Sequence, residues 1–246
     1  MTPLSDKHIV TEKEIAEIKD LGFNISFGYP FADFLKENFP GLHLLNYLKG
    51  INDLLAPLTT AAVEREIVYF ESPPPAVVIQ LFSDDEENNQ TGLAFSHSIV
   101  KREVELVVEL DFLRIPVSTR NQGITKRLLG ICLKQCSLLG VDKIELEAAL
   151  ENGGLVWAKA FFTAKNPKEV RVIFENAEKL LTPERFKFVK RIYDNYYEQY
   201  PDGTAFPMVK WSRLAGMQEI LNGSRWRGEL DLNNSEVFSN FKHYVA

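Results

Sequence analysis

Residues 114–127 read RIPVSTRNQGITKR and join an apolar run ending at Ile115 to a run of helical spacing that opens at Ile124. Backbone N–H groups in the first turn of a helix have no acceptor behind them, and the aligned peptide dipoles put partial positive charge there. Such a turn suits phosphate oxygens. Gly123 has no side chain to hold a ligand away from the main chain, and Arg120, Lys126 and Arg127 add positive charge around it. A diphosphate is the natural guest. The alternative is a glycine that serves only the geometry of the turn.

Upstream of this junction the sequence alternates with a period of two and is rich in β-branched residues: EIVYFE at 66–71, AVVIQLF at 76–82, LAFSHSIV at 93–100 and VELVVELDFLRI at 104–115. Four strands are expected. DDEENNQTG at 84–92 is charged and rich in turn residues, so it reads as a hairpin loop; the alternating oxygen ligands and closing glutamate of a calcium loop are missing. Downstream, Leu128, Ile131, Cys132, Gln135 and Leu139 keep helical spacing up to a stop at Gly140, and VDKIELEAAL at 141–150 alternates again. Strand, turn, helix and strand make one βαβ unit, whose two strands are expected to run parallel. LVWAKAFF at 155–162 follows as a short apolar helix.

Farther out, both ends read as helical. Residues 11–63 hold apolar positions at mixed three and four spacings, broken by Gly28, Pro30, Pro40, Gly41 and Pro57. From Pro167 two more helical patterns follow, then a helix near 214–221 and a tail containing WRGELDL. The 246 residues are 45% hydrophobic and 25% charged, enough for a sizeable core without disulfides or a structural metal. Cys132 and Cys136 sit four apart in an apolar helical stretch and read as core fillers. With no apolar run of membrane-spanning length and no signal-like opening, a cytoplasmic protein with no membrane partner is expected. A formal charge of −6 disfavours nucleic acid, while a local basic patch can still hold a small phosphorylated ligand.

The order of elements and the residues at the turn together resemble the GCN5-related N-acetyltransferase (GNAT) superfamily. In that family a Q/RxxGxG/A motif follows the fourth strand and cradles the pyrophosphate of coenzyme A. Arg120, Gln122, Gly123, Ile124 and Thr125 fall on the matching positions, and Ile115 with Pro116 resembles the hydrophobic residue and proline that precede it. The resemblance implies an α/β (α+β) class with a GNAT-like mixed sheet flanked by helices. It also implies an acyl-CoA-binding core at 66–163, between a helical N-terminal region at 1–65 packed on that core and a helical C-terminal extension at 164–246. It further implies acetyl-CoA as cofactor, held by Ile115, Arg120, Gln122, Gly123, Ile124, Thr125, Lys126 and Trp157, and transfer of the acyl group to an amine by direct attack on the thioester. The acceptor would be a small-molecule amine or a protein amine, and a homodimer stays open. Two positions depart from the family pattern: Thr125 stands for a glycine or alanine, and Trp157 stands where members often carry the tyrosine that protonates the leaving thiolate. An indole N–H is no useful acid, so aromatic packing or a wall of the acyl pocket is its expected role.

Acyl transfer to an amine also needs a base. The odd positions of 103–113 carry Glu103, Glu105, Glu109 and Asp111, and Glu145 and Glu147 repeat the pattern on the next strand. One reading is a site for a cationic amine with Glu109 or Asp111 as base, its pKa raised by like charges. The other is an acidic sheet face that meets water or pairs with arginines. Four scattered histidines, His8, His43, His97 and His243, lack ligand spacing, so no metal is expected. Tyr193, Tyr196 and Tyr197 read first as core and second as a substitute acid. An ADP-ribosyltransferase reading fails on spacing, because its letters at Arg114, Ser118, Thr119, Glu145 and Glu147 fall within a short stretch. A GNAT-like fold that binds coenzyme A or a protein without turnover is the remaining alternative.

Overall fold

Thr11 opens the first helix by a reciprocal exchange: the Glu14 amide donates to its hydroxyl at 3.3 Å and its own amide donates to the Glu14 carboxylate at 2.9 Å. Two otherwise orphaned donors are satisfied at once, a device that contributes about 1 kcal/mol. The computed structural model describes residues 7–26, 30–88, 90–149 and 153–246. The chain forms two compact units, Met1–Asp142 with Val245–Ala246, and Lys143–Tyr244.

In the first unit the elements are α1 (Glu12–Asp20), β1 (Asn24–Ile25), α2 (Phe31–Asn38), α3 (Leu44–Leu55), β2 (Val63–Phe70), β3 (Ala76–Ser83), β4 (Ala94–Lys101), β5 (Leu106–Arg114) and α4 (Ile124–Leu139). Strands β1 to β5 lie in sequence order; β1 is parallel to β2, and each later pair is antiparallel. This is a mixed sheet flanked by helices, the α/β class that the sequence predicts. Its one surprise is β1, two residues inside a stretch read as helical throughout, too short to show alternation. β4 is buried at seven of its eight residues. On one face its His97 ring lies edge-on to Tyr47 of α3 at 5.4 Å, and the Tyr47 hydroxyl is 3.2 Å from Sγ of Cys132 on α4. Both cysteines are free and buried, and burial raises the Cys132 thiol to about 11, so they fill space rather than react.

The second unit contains β6 (Lys143–Ala148), α5 (Gly153–Lys159), β7 (Thr163–Ala164), α6 (Pro167–Leu180), α7 (Pro183–Gln199), α8 (Met208–Ser212), α9 (Met217–Asn222), β8 (Trp226–Asp231) and most of α10 (Ser235–Val245). Its strands run β6-β8-β7, both pairings antiparallel. The WRGELDL stretch, read as a tail, is therefore largely strand β8, with Trp226, Gly228 and Leu230 inside and Arg227, Glu229 and Asp231 turned the other way. Tyr193 stacks on Phe174 at 4.2 Å, Phe206 lies 4.4 Å from Trp211, and the Trp211 indole donates to the Val189 carbonyl at 3.3 Å. The tyrosines of α7 thus belong to an aromatic core, and burial raises the Tyr197 hydroxyl further from useful acidity. Among the described residues no helix is long and apolar enough to cross a membrane, and no group of His, Cys, Asp or Glu is placed to hold a metal ion.

Candidate functional site

The strand β5 ends at Arg114, whose guanidinium donates to the Glu86 carbonyl at 2.7 Å and lies over the Phe112 ring at 5.3 Å. Pro116 then starts a one-turn 3-10 helix, Val117–Thr119, and the Val117 amide donates to the Gln90 carbonyl at 2.9 Å. Side chains tie the turn to itself: Thr119 Oγ1 donates to Pro116 at 2.8 Å, and Gln122 Nε2 donates to Ser118 at 3.0 Å. Asn121 and Gly123 both take left-handed backbone, with φ of 63° and 73°. The second of these is the N-cap of α4. A left-handed residue there turns the chain sharply enough to present successive amides to one side.

Helices α1, α6 and α7 close their first turns with the side chains of Thr11, Asn166 and Thr182. α4 has no such cap. Arg120 donates its amide to Val117, and Arg127 donates its amide to Gly123. Between them the six amides of Asn121, Gln122, Gly123, Ile124, Thr125 and Lys126 have no acceptor among the described residues. A Cβ built on Gly123 would meet nothing within 4 Å, so the space beside that residue is open. Arg120, Lys126 and Arg127 have no ion-pair partner among the described residues, and Lys126 and Arg127 are exposed. A row of open amides with three free cations suits a pyrophosphate in both charge and hydrogen-bonding capacity.

The eight residues expected to hold the cofactor take different parts. Gln122, Gly123, Thr125 and Lys126 present amides at or near the surface. Ile124 is only 2% exposed, so its side chain anchors the helix, and its amide, without an acceptor among the described residues, lies beneath the surface. Ile115 is half-buried in the approach to the turn. Trp157 lies on α5 in the second unit, half-buried, with its ring edge-on to Phe162 at 5.6 Å.

The acidic face of 103–113 is not continuous. Glu103 and Val104 form the tip of the β4–β5 hairpin, where Val104 is 93% exposed, and the strand begins only at Leu106. Ser98 pairs with Glu109 but Ser96 pairs with Phe112, so Leu110 and Asp111 together oppose His97. That bulge shifts the phase of the strand. Phe112, expected on the face opposite to Glu109, therefore shares a face with it, and Asp111 reaches the two serines across the ladder. Its Oδ2 accepts from Ser98 Oγ at 2.7 Å and from Ser96 Oγ at 3.4 Å.

Partners separate the carboxylates chemically. The Arg102 guanidinium holds Glu105 at 2.9 Å and Glu109 at 2.6 Å. On β6, Glu145 faces Glu229 of β8 directly, an arrangement that would repel were it not closed by Lys143 (3.3 and 3.4 Å) and Lys165 (2.5 and 3.3 Å). Glu147 pairs with Arg225. Asp111 has no cation partner among the described residues. Its carboxyl is raised above the usual range by desolvation first, with the Glu109 charge adding to the rise, while the Ser98 and Ser96 hydroxyls pull it down. Asp111 remains exposed enough to meet a substrate. Sequence reading finds Asp111 but misses Ser96, Ser98 and Arg102; the signal that could have found the serines is a polar SHS inside an otherwise apolar strand.

Neither a family model nor a curated protein matches the chain. Among solved structures, the crystal structure of the NatC complex bound to Gag peptide and CoA is similar over 63% of this chain and 80% of that chain, at 17% identity and a TM-score of 0.26. A likeness of that degree carries no argument about activity.

Proposed function

We propose that the chain is an acyl-CoA-dependent N-acyltransferase that moves an acetyl group to a small-molecule or protein amine, with residues 66–163 as its acyl-CoA-binding core. One observation carries the reading: six consecutive main-chain amides, Asn121 to Lys126, lack an acceptor among the described residues at the start of α4, around a glycine whose added Cβ would meet nothing within 4 Å. In this reading Gln122 to Lys126 hold the pyrophosphate and Arg120 adds charge beside it. When bound, acetyl-CoA would supply a thioester whose C–S bond breaks as the amine nitrogen bonds to the carbonyl carbon, and the proton lost from that nitrogen would pass to the departing sulfur to give the free thiol. Asp111 accepts the proton that converts the ammonium form of the acceptor to the free amine, and returns it to water. Glu109, held by Arg102, steadies the charge on the same face.

Titration calorimetry with acetyl-CoA tests the reading, followed by thiol release over a panel of amines. Binding that Gly123→Asp abolishes supports it, since the added carboxylate repels the phosphates from a position whose Cβ meets nothing within 4 Å. Unchanged affinity in that variant refutes it. A second reading, a module that binds coenzyme A without turnover, is favoured by Trp157 at the position where the resemblance implies a proton-donating tyrosine. Binding without thiol release would select it.

A further inference from the structure

Ser96, His97 and Ser98 are three consecutive polar residues buried in a central strand, at 7%, 0% and 8% exposure. Apolar residues there would avoid the desolvation that each polar side chain undergoes. The two serines share a face and spend their hydroxyls on a single carboxylate oxygen, Oδ2 of Asp111, at the one place where β5 is bulged. Gln80 of β3 stands behind them, its Nε2 3.5 Å from Ser96 Oγ. Because both donors converge on Oδ2, Oδ1 has no partner among the described residues and is the oxygen left to receive a proton.

We infer that Ser98, backed by Ser96, is a positioning residue that fixes the Asp111 carboxylate so that Oδ1 takes the proton of the acceptor ammonium. The inference rests on the acyltransfer reading. The proton passes from the ammonium nitrogen to Oδ1, the nitrogen keeps its electron pair for the carbonyl carbon, and Asp111 later gives the proton to water. The groups facing Asp111 within its unit are Ser96 and Ser98 from β4 and Glu109 from its own strand, the last already paired with Arg102. Loss of the Ser98 donor therefore removes the nearer of two interactions that favour the ionised carboxylate.

Two readouts test this on the full chain. Carbon-detected NMR titration of the Asp111 carboxyl is expected to show its midpoint higher in Ser98→Ala than in the parent, and restored in Ser98→Thr. The ascending limb of kcat/KM against pH for acetyl transfer to an amine is expected to move in the same direction and by the same interval. A purely structural serine would lower stability and leave both midpoints in place; that result, with acetyl-CoA turnover intact, overturns the inference alone. Failure of the parent chain to bind acetyl-CoA overturns the acyltransfer reading and removes the catalytic role assigned to Asp111, whatever the NMR midpoint does.

Discussion

At Gly123 the backbone has φ of 73° and ψ of 16°, a region open to L-residues only at a cost of about 1–2 kcal/mol. Gly123→Ala is accordingly expected to lower stability by about 1 kcal/mol, read from urea midpoints, and to keep the fold, since its methyl group meets nothing within 4 Å. Asp111→Asn keeps the shape of the carboxyl group and removes its basicity. It is expected to lower kcat/KM for amine acetylation by about 10²–10⁴-fold while leaving acetyl-CoA affinity unchanged, and equal loss of both would place Asp111 in cofactor binding instead. Gly123 is legible in the sequence because it falls at a strand-to-helix junction with Arg120, Lys126 and Arg127 around it. Asn121 is not, although it shares the left-handed backbone, because asparagine is ordinary in turns of every kind.

Among elements, β4 and β5 repay comparison of pattern with outcome. Their existence follows from β-branched alternation, but the bulge at Leu110 and Asp111 leaves no mark in the sequence and inverts the phase beyond it. The acidic stripe is a correct reading of residue types laid on a strand assumed to be regular. Opposite the bulge, His97 is fully buried, its ring nitrogens have no hydrogen-bond partner among the described residues, and desolvation lowers its pKa from 6.5 to about 3. Well above pH 6.5 it is neutral folded and unfolded, and adds no pH dependence to stability. As pH falls from 6.5 toward 3 the unfolded chain takes up a proton that the folded chain refuses, so stability is lost by up to about 1.4 kcal/mol per pH unit. In His97→Phe this part of the slope is expected to vanish, so its urea midpoint should gain on the parent's between pH 7 and 4; parallel slopes would contradict a buried neutral histidine. In the second unit, α5 and α9 meet so closely that a Cβ on Gly154 would overlap the Leu221 carbonyl and the Ser224 hydroxyl. Gly154→Ala is expected to cost about 3 kcal/mol, measured by the same urea melts.

For the whole molecule, the formal charge of −6 opposes a phosphorylated ligand at long range, so the proposed site depends on the local positive charge of Arg120, Lys126 and Arg127. Acetyl-CoA affinity is therefore expected to weaken as salt rises from 0.1 to 1 M, across which the screening length falls from about 10 to about 3 Å. Lys126→Gln and Arg127→Gln should each weaken it about tenfold at low salt and less at high salt, by calorimetry. Much of the molecule follows from pattern: the four strands β2 to β5 with the hairpin loop between β3 and β4, the turn, helix α4, and the helices at both ends. The two-residue strands β1 and β7 do not, because two residues carry no period, and β8 hides because Gly228 stands at one of its inward positions and weakens the alternation. Amide-resolved ¹⁵N NMR during titration with acetyl-CoA tests the central claim most directly. The expected result is saturable shifts concentrated on Asn121 to Lys126, lost in Gly123→Asp; millimolar acetyl-CoA that leaves those six amides unmoved would contradict the account.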